Sequence, residues 1–165
     1  MDMDTRTKGE YTLALFRILV GWTFLAAFID KIFGTGFQTP PGGGFIDGVS
    51  PSSYVSYVTT GLLADFYKSI AGNLAMDILL VAALLILGVT AILGIASKLT
   101  TIGSVLFLVI MYTIQLPPVD NPIIDHRIIM AVGMVAVYLL GGYERLSIHA
   151  KWKESFLVNK LPILE

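Results

Sequence analysis

The chain has 165 residues, 55% of them hydrophobic and only 14% charged, with a mean hydropathy of +0.77. A water-facing surface needs more charge than this, so lipid is the solvent for most of the protein. The formal net charge of −1 supplies no footprint for nucleic acid, and the absence of cysteine removes disulfides, thiolate nucleophiles and iron–sulfur clusters.

Four apolar stretches follow one another, at about residues 11–33, 74–96, 99–116 and 123–141. Each approaches the ~20 residues that carry a helix across a bilayer core, which predicts an all-α, polytopic four-helix bundle. The first stretch is long, contains Arg17 and lacks a convincing small-residue cleavage site before the next polar segment, so it reads as a retained span rather than a signal peptide. Residues 34–72 then form a long connection. Its first part, "GTGFQTPPGGGFIDGVSPSSY", is rich in Gly and Pro and therefore irregular. Ser50 and Pro51 suit an N-cap and a first helical position, and the aromatic, weakly charged stretch after them predicts short helices lying on the membrane face. "SKLT" is a very short turn that makes the second and third spans antiparallel neighbours. Residues 1–142 thus form the membrane domain, and residues 143–165 form an interfacial tail in which Trp152 and Phe156 alternate with cations.

Arg6, Lys8, Lys98, Arg145, Lys151, Lys153 and Lys160 lie on one side of this arrangement, and Lys31, Lys68 and Arg127 on the other. The excess places both termini in the cytoplasm of a multi-pass cell-membrane protein.

Ionisable groups inside spans cost roughly 2.5–3.5 kcal/mol near the centre and call for a reason. At 100° per residue Arg17, Gly21, Phe24, Phe28 and Lys31 share one side of the first span. Arg17 either faces the interior, with Glu144 as a candidate partner and Gly21 allowing close helix approach, or snorkels to the headgroups. At the outer end Lys31, Asn73, Asp77, Gln115, Asp125, His126 and Arg127 all fall at one level. In "DNPIIDHR", residues 120–127, Asn121 suits an N-cap, Pro122 the first turn and Asp125 the positive helix end. Arg127 does not suit it and needs compensation by Asp77, Asp125 or a bound anion. The stretch is either a solvated helix start or a functional polar cap, and at most two of Asp125, His126 and Arg127 can face inward. The two histidines, His126 and His149, are about 34 Å apart along a helix at ~1.5 Å per residue, too far for a shared metal.

Three stretches carry a resemblance. "LFRILVGWTFLAAFIDKIFGTGFQTPPGGGFIDGVSPSSY", "GNLAMDILLVAALLILGVTAILGIASKL" and "DNPIIDHRIIMAVGMVAVYLLG" resemble the first, second and fourth spans of the DoxX/DoxD family of four-helix membrane proteins. The resemblance implies the large subunit of a thiosulfate:quinone oxidoreductase, working with a second, DoxA-like subunit. Residue by residue it points to Arg17, Gly21, Asp30, Lys31, Asn121, Pro122, Asp125 and His126.

The residues and the resemblance together predict a membrane subunit of a quinone-linked oxidoreductase. It would bind a sulfur oxyanion and a quinone near the outer face. His126, Lys31 and Asp125 are the catalytic candidates. Arg127, Asp77, Gln115 and Asp30 are the substrate-binding candidates, and Arg17 is a structural charge. No metal-ligand set or dinucleotide fingerprint is present, so quinone enters as substrate and electrons pass directly or through a partner. Lipids, a second redox subunit and further copies of the chain are the other partners considered. The alternative is a non-enzymatic membrane scaffold or small-solute carrier.

Overall fold

The computed structural model describes residues 3–118, 121 and 123–164, and all regular structure among them is helical. Helix α1 (Met3–Phe33) begins well before the first apolar stretch, because Lys8–Asp4 and Arg6–Glu10 pair across one turn and sustain the polar segment. A 3-10 turn (Phe45–Asp47) and helices α2 (Ser53–Val58) and α3 (Ala64–Ile70) lie in the long connection. Helix α2 starts later than expected, with Ser52 rather than Ser50 as N-cap. The two serines instead serve Asp77, which accepts from the Ser50 hydroxyl at 2.7 Å and the Ser52 amide at 2.8 Å. Helices α4 (Leu74–Leu93), α5 (Ser97–Ile114) and α6 (His126–Leu139) follow, then α7 (His149–Lys153), α8 (Phe156–Lys160) and a last 3-10 turn (Pro162–Leu164).

Three helices, α1, α4 and α5, are long and apolar enough to cross a membrane. At most 33% of each apolar stretch is buried inside the protein, so the outward faces carry residues such as Leu19, Trp22, Ile86 and Ile110. That is an inside-out distribution for water and a natural one for lipid.

The fourth apolar stretch is only partly helical. Helix α6 has 14 residues, about 21 Å at ~1.5 Å per residue, against the 19 of the apolar run. Its N-cap is Asp125, which accepts from the amides of Arg127 and Ile128, and not Asn121. The Asn121 side chain closes its own turn on the amides of Ile123 and Ile124. Pro122 lies outside the described residues. At the other end Gly141, with φ +80°, turns the chain, and the Gly142 amide donates to Val137 as in a Schellman motif.

The four longest helices form a closed ring of neighbours, α1 against α4 and α6, and α5 against α4 and α6. The core between them holds Val20, Phe24, Leu84, Leu87, Leu108, Ala131 and Met134. The closest approach is α1 on α4. A Cβ on Gly21 would sit 2.9 Å from the Ile92 amide nitrogen, and one on Gly88 2.9 Å from the Leu25 nitrogen. Two glycines facing each other thus let two backbones meet, the small-residue packing that replaces the hydrophobic effect between helices in lipid. Gly21→Leu should force them apart at a cost of about 1–3 kcal/mol. Gly9→Leu, where nothing lies within 4 Å, should cost far less; melting of both variants in detergent makes the comparison.

Arg17 is fully buried on the same face of α1, and among the described residues no acid pairs with it. Its Nε donates to Gly142 O, Nη1 to Ala91 O and Ile92 O, and Nη2 to Arg145 O and Leu146 O. Five N–H groups meet five carbonyls, the full capacity of a guanidinium. Two of those carbonyls belong to the last turn of α4, where orphan C=O groups and the helix dipole both favour a cation. Glu144, the expected partner, instead approaches the His149 ring at 3.7 Å. Gly94 makes room: a Cβ there would stand 2.6 Å from Arg17 Nη1. The Tyr143 ring lies 5.3 Å from the guanidinium carbon, and its hydroxyl shares a 3.0 Å hydrogen bond with the Thr101 hydroxyl. Nearby, Arg145 pairs with Glu10 at 3.0 Å. The chain leaving α6 therefore meets the first half of α1, at the end of the ring where α1 begins.

Candidate functional site

The other end of the ring is built around Lys31, in the last turn of α1. The residue is buried, yet its ammonium donates one hydrogen bond, 3.0 Å to the Thr39 hydroxyl, and rests 4.7 Å from the centre of the Tyr54 ring. Among the described residues no carboxylate lies within ion-pair distance of it. An ammonium has three donors and is costly to remove from water, and the described residues occupy one of them with a hydrogen bond.

The acids around it are occupied elsewhere. Asp30 is buried and accepts from the Thr35 hydroxyl at 2.6 Å and from the amides of Phe37, Gln38 and Thr39. It folds the segment after α1 into a tight loop that delivers Thr39 to Lys31. Asp77 holds Ser50 and Ser52 and thereby ties the start of α2 to α4. Asp125 caps α6 and pairs with Arg127 at 3.2 Å. Arg127 also donates to Met111 O at 3.0 Å and to the Gln115 amide oxygen, so a cation at a helix start is compensated within the fold.

Two spaces meet at Lys31. A cavity of about 210 Å³ lies between α1, α4, α5 and α6, with apolar walls from Phe24, Leu84, Phe107, Met111 and Met130. Its rim carries Lys31, Gln38, Tyr54, His126 and Arg127. A cleft of about 330 Å³ lies on the loop side, where Thr39, Ser50, Ser53 and Tyr57 are among its walls. Lys31, Gln38 and Tyr54 line both spaces and form the wall between them. Burial pushes the Tyr54 phenol above its ordinary value against the opposing charge of Arg127, which keeps it a neutral hydrogen-bonding group.

Of the residues singled out in the sequence, Lys31, His126 and Arg127 therefore share one cavity. Gln115 stands behind Arg127, while Asp77 and Asp30 line neither its apolar walls nor its rim. Asp125 acts on the backbone of α6 and on Arg127. Gln38 and Thr39 carried no sequence signal, because a loop formed around Asp30 places them.

The loop helices close over this end. Val55, Tyr67 and Ile114 form a second apolar cluster with Tyr54, Val58, Ile70 and Met111 packed against it. The Tyr67 hydroxyl meets Thr113, and the Thr60 amide donates to Ile114 O at 3.3 Å. Phe37, Tyr57, Leu62 and Phe66 remain exposed on the outside of this cover. No protein-family model, curated protein or solved structure matches the chain.

Proposed function

We propose that the chain is the membrane subunit of a quinone-linked oxidoreductase, with the quinone ring in the cavity between the helices and a sulfur oxyanion in the loop cleft. The observation that carries this reading is the buried Lys31 ammonium, with no carboxylate in ion-pair distance among the described residues, in the wall between an apolar space and a hydroxyl-lined one. A cavity of about 210 Å³ is smaller than the ~300–1,000 Å³ of drug-sized sites and suits one ring, with any tail left in lipid. A quinone carbonyl would accept from Lys31, with His126 placed to exchange protons as the ring is reduced. On the other side the same ammonium would hold an anion beside the hydroxyls of Thr39, Ser50 and Ser53.

In the thiosulfate reaction, two thiosulfate ions join through a new S–S bond to give tetrathionate and release two electrons. The quinone takes these electrons and two protons to become quinol. No cysteine is available to store electrons, so they pass between the bound substrates or through a second redox subunit. This agrees with the resemblance to DoxX/DoxD proteins. In the same reading α6, extended by its flanking apolar residues, serves as the fourth span, the Lys31 end faces outward and both chain ends face the cytoplasm of a multi-pass cell-membrane protein.

The test is equilibrium binding of a short-chain quinone to the purified protein in detergent. His126→Ala should weaken binding about tenfold, the equivalent of one lost hydrogen bond of ~1.4 kcal/mol. Lys68→Gln, which removes an exposed cation in the loop cover, should leave it unchanged. An absence of quinone binding in the wild-type protein would favour the scaffold or carrier reading instead.

A further inference from the structure

Beneath the loop helices lies a further cavity of about 260 Å³, walled by α2 and α3 on one side and by α4 and α5 on the other. Val55, Ile70, Met76 and Ile114 are among its walls. The hydroxyl-bearing side chains that reach it are bound elsewhere: the Ser52 hydroxyl accepts from the Gly72 amide at 2.9 Å, and the Tyr67 hydroxyl meets Thr113. Such a wall favours an apolar occupant. Leu80 and Met111 line this cavity and also the ring cavity, so these two side chains form the partition between them. Methionine is unbranched and adapts its shape, so a partition at Met111 can yield to a chain passing through it. On another side the cavity is walled by Phe66 and Ile110, both largely exposed, and Ile110 belongs to the outward face of α5. The cavity therefore lies between the ring cavity and the lipid.

We propose that this second cavity takes the first isoprene units of a prenylated quinone, so that the substrate of the ring cavity is a prenylquinone on its way out to lipid. The proposal rests on the reading of the ring cavity as a quinone site. Lys31, Gln38, His126 and Arg127 make the rim of the ring cavity polar, so an apolar chain attached to the ring leaves on the Leu80 and Met111 side. A cavity of ~150 Å³ lined by Leu, Ile and Phe holds a benzene ring, so one of about 260 Å³ holds roughly two isoprene units. The rest of the chain continues past Ile110 and Phe66 into the bilayer.

The experiment is equilibrium binding to the full chain in detergent of one quinone ring carrying no, one, two or three isoprene units, corrected for partition into the micelle. The first two units together should tighten binding by about tenfold or more, and the third should add little. In Ile110→Trp, whose larger side chain fills the outer part of the cavity, that gain should fall by about tenfold while the bare ring binds as in wild type. Leu106→Trp, at an exposed residue one turn earlier on α5 that lines neither cavity, should keep the full gain. Ile110 is exposed to a similar degree, so its variant folds, and melting without ligand provides the check. A photoreactive group on the second isoprene unit should label Phe66, Ile70 and Met76 in the wild-type protein, a readout that needs no variant. A gain unchanged in Ile110→Trp, or labelling spread over Leu19 and Trp22 on the outward face of α1, overturns the proposal and leaves the quinone reading standing. Labelling of the same three residues by a photoreactive phospholipid acyl chain that the two-unit quinone does not displace assigns the cavity to bilayer lipid and also overturns it. Absence of binding across the whole quinone series overturns both the proposal and the reading beneath it.

Discussion

Replacing Arg17 with leucine should lower stability by about 3 kcal/mol or more, because each buried acceptor left without a donor costs ~1–3 kcal/mol. For a chain of this size a loss of that order corresponds to a fall of roughly 6–12 °C in melting temperature. The carbonyls of Ala91, Ile92, Gly142, Arg145 and Leu146 converge on one guanidinium. Leu146 holds a left-handed backbone, φ +48°, unusual for a residue with a side chain, and its carbonyl bond to Arg17 helps fix that geometry. Arg17→Lys keeps the charge but offers three donors without the planar fork, so it should recover only part of the loss. Melting of the three proteins in one detergent checks the order. Equal melting of wild type and Arg17→Leu would mean that the five carbonyls find other donors.

Lys31→Met should have the opposite character. The substitution removes a buried ammonium that bonds the Thr39 hydroxyl and rests on the Tyr54 ring, with no ion pair among the described residues, and it keeps most of the side-chain volume. Replacing buried charge by an apolar side chain of similar size is often neutral or stabilising, so the melting temperature should hold or rise. Ligand binding should fall by about tenfold or more, since a hydrogen bond from a charged donor is worth ~1.5–3 kcal/mol. A stable protein that has lost its ligand is the signature of a residue retained for function at the expense of stability. Loss of stability together with loss of binding would instead mark Lys31 as part of the structural frame.

The helices were legible wherever apolar length decided them. The stretches at α1, α4 and α5 are long, and Asn73 capping α4 through the Ala75 amide is a signal that the residue type itself carries. Boundaries failed where a competing local bond took over. Asn121 looked like the start of α6, yet its side chain closes a turn on Ile123 and Ile124, and Asp125 caps the helix instead. Ser50 looked like a cap for α2 and is held by Asp77. The partners of Arg17 were illegible for a different reason. A search for an opposite charge finds Glu144, whereas the guanidinium is satisfied by main-chain carbonyls, which every residue possesses and no sequence pattern displays.

At the candidate site, the shared level of Lys31, His126 and Arg127 could be read from helix ends alone. The separation of that end into two spaces could not, because it depends on Asp30 folding residues 35–39 and on Tyr54 arriving from α2. The acids show why counting charges at one level overestimates a site. Asp30, Asp77 and Asp125 each bind main-chain amides, so they organise the backbone, and none of the three forms an ion pair with Lys31.

The most direct measurement is photo-crosslinking with a quinone that carries a photoreactive group on its ring, followed by mapping of the labelled residues. Labelling concentrated on Phe24, Met111, His126 and Met130, reduced by excess unlabelled quinone and lost in Lys31→Met, is the expected result. Labelling spread over the lipid-facing residues Leu19, Ile86 and Ile110, undiminished by competitor and unchanged in Lys31→Met, would contradict a quinone site between these helices.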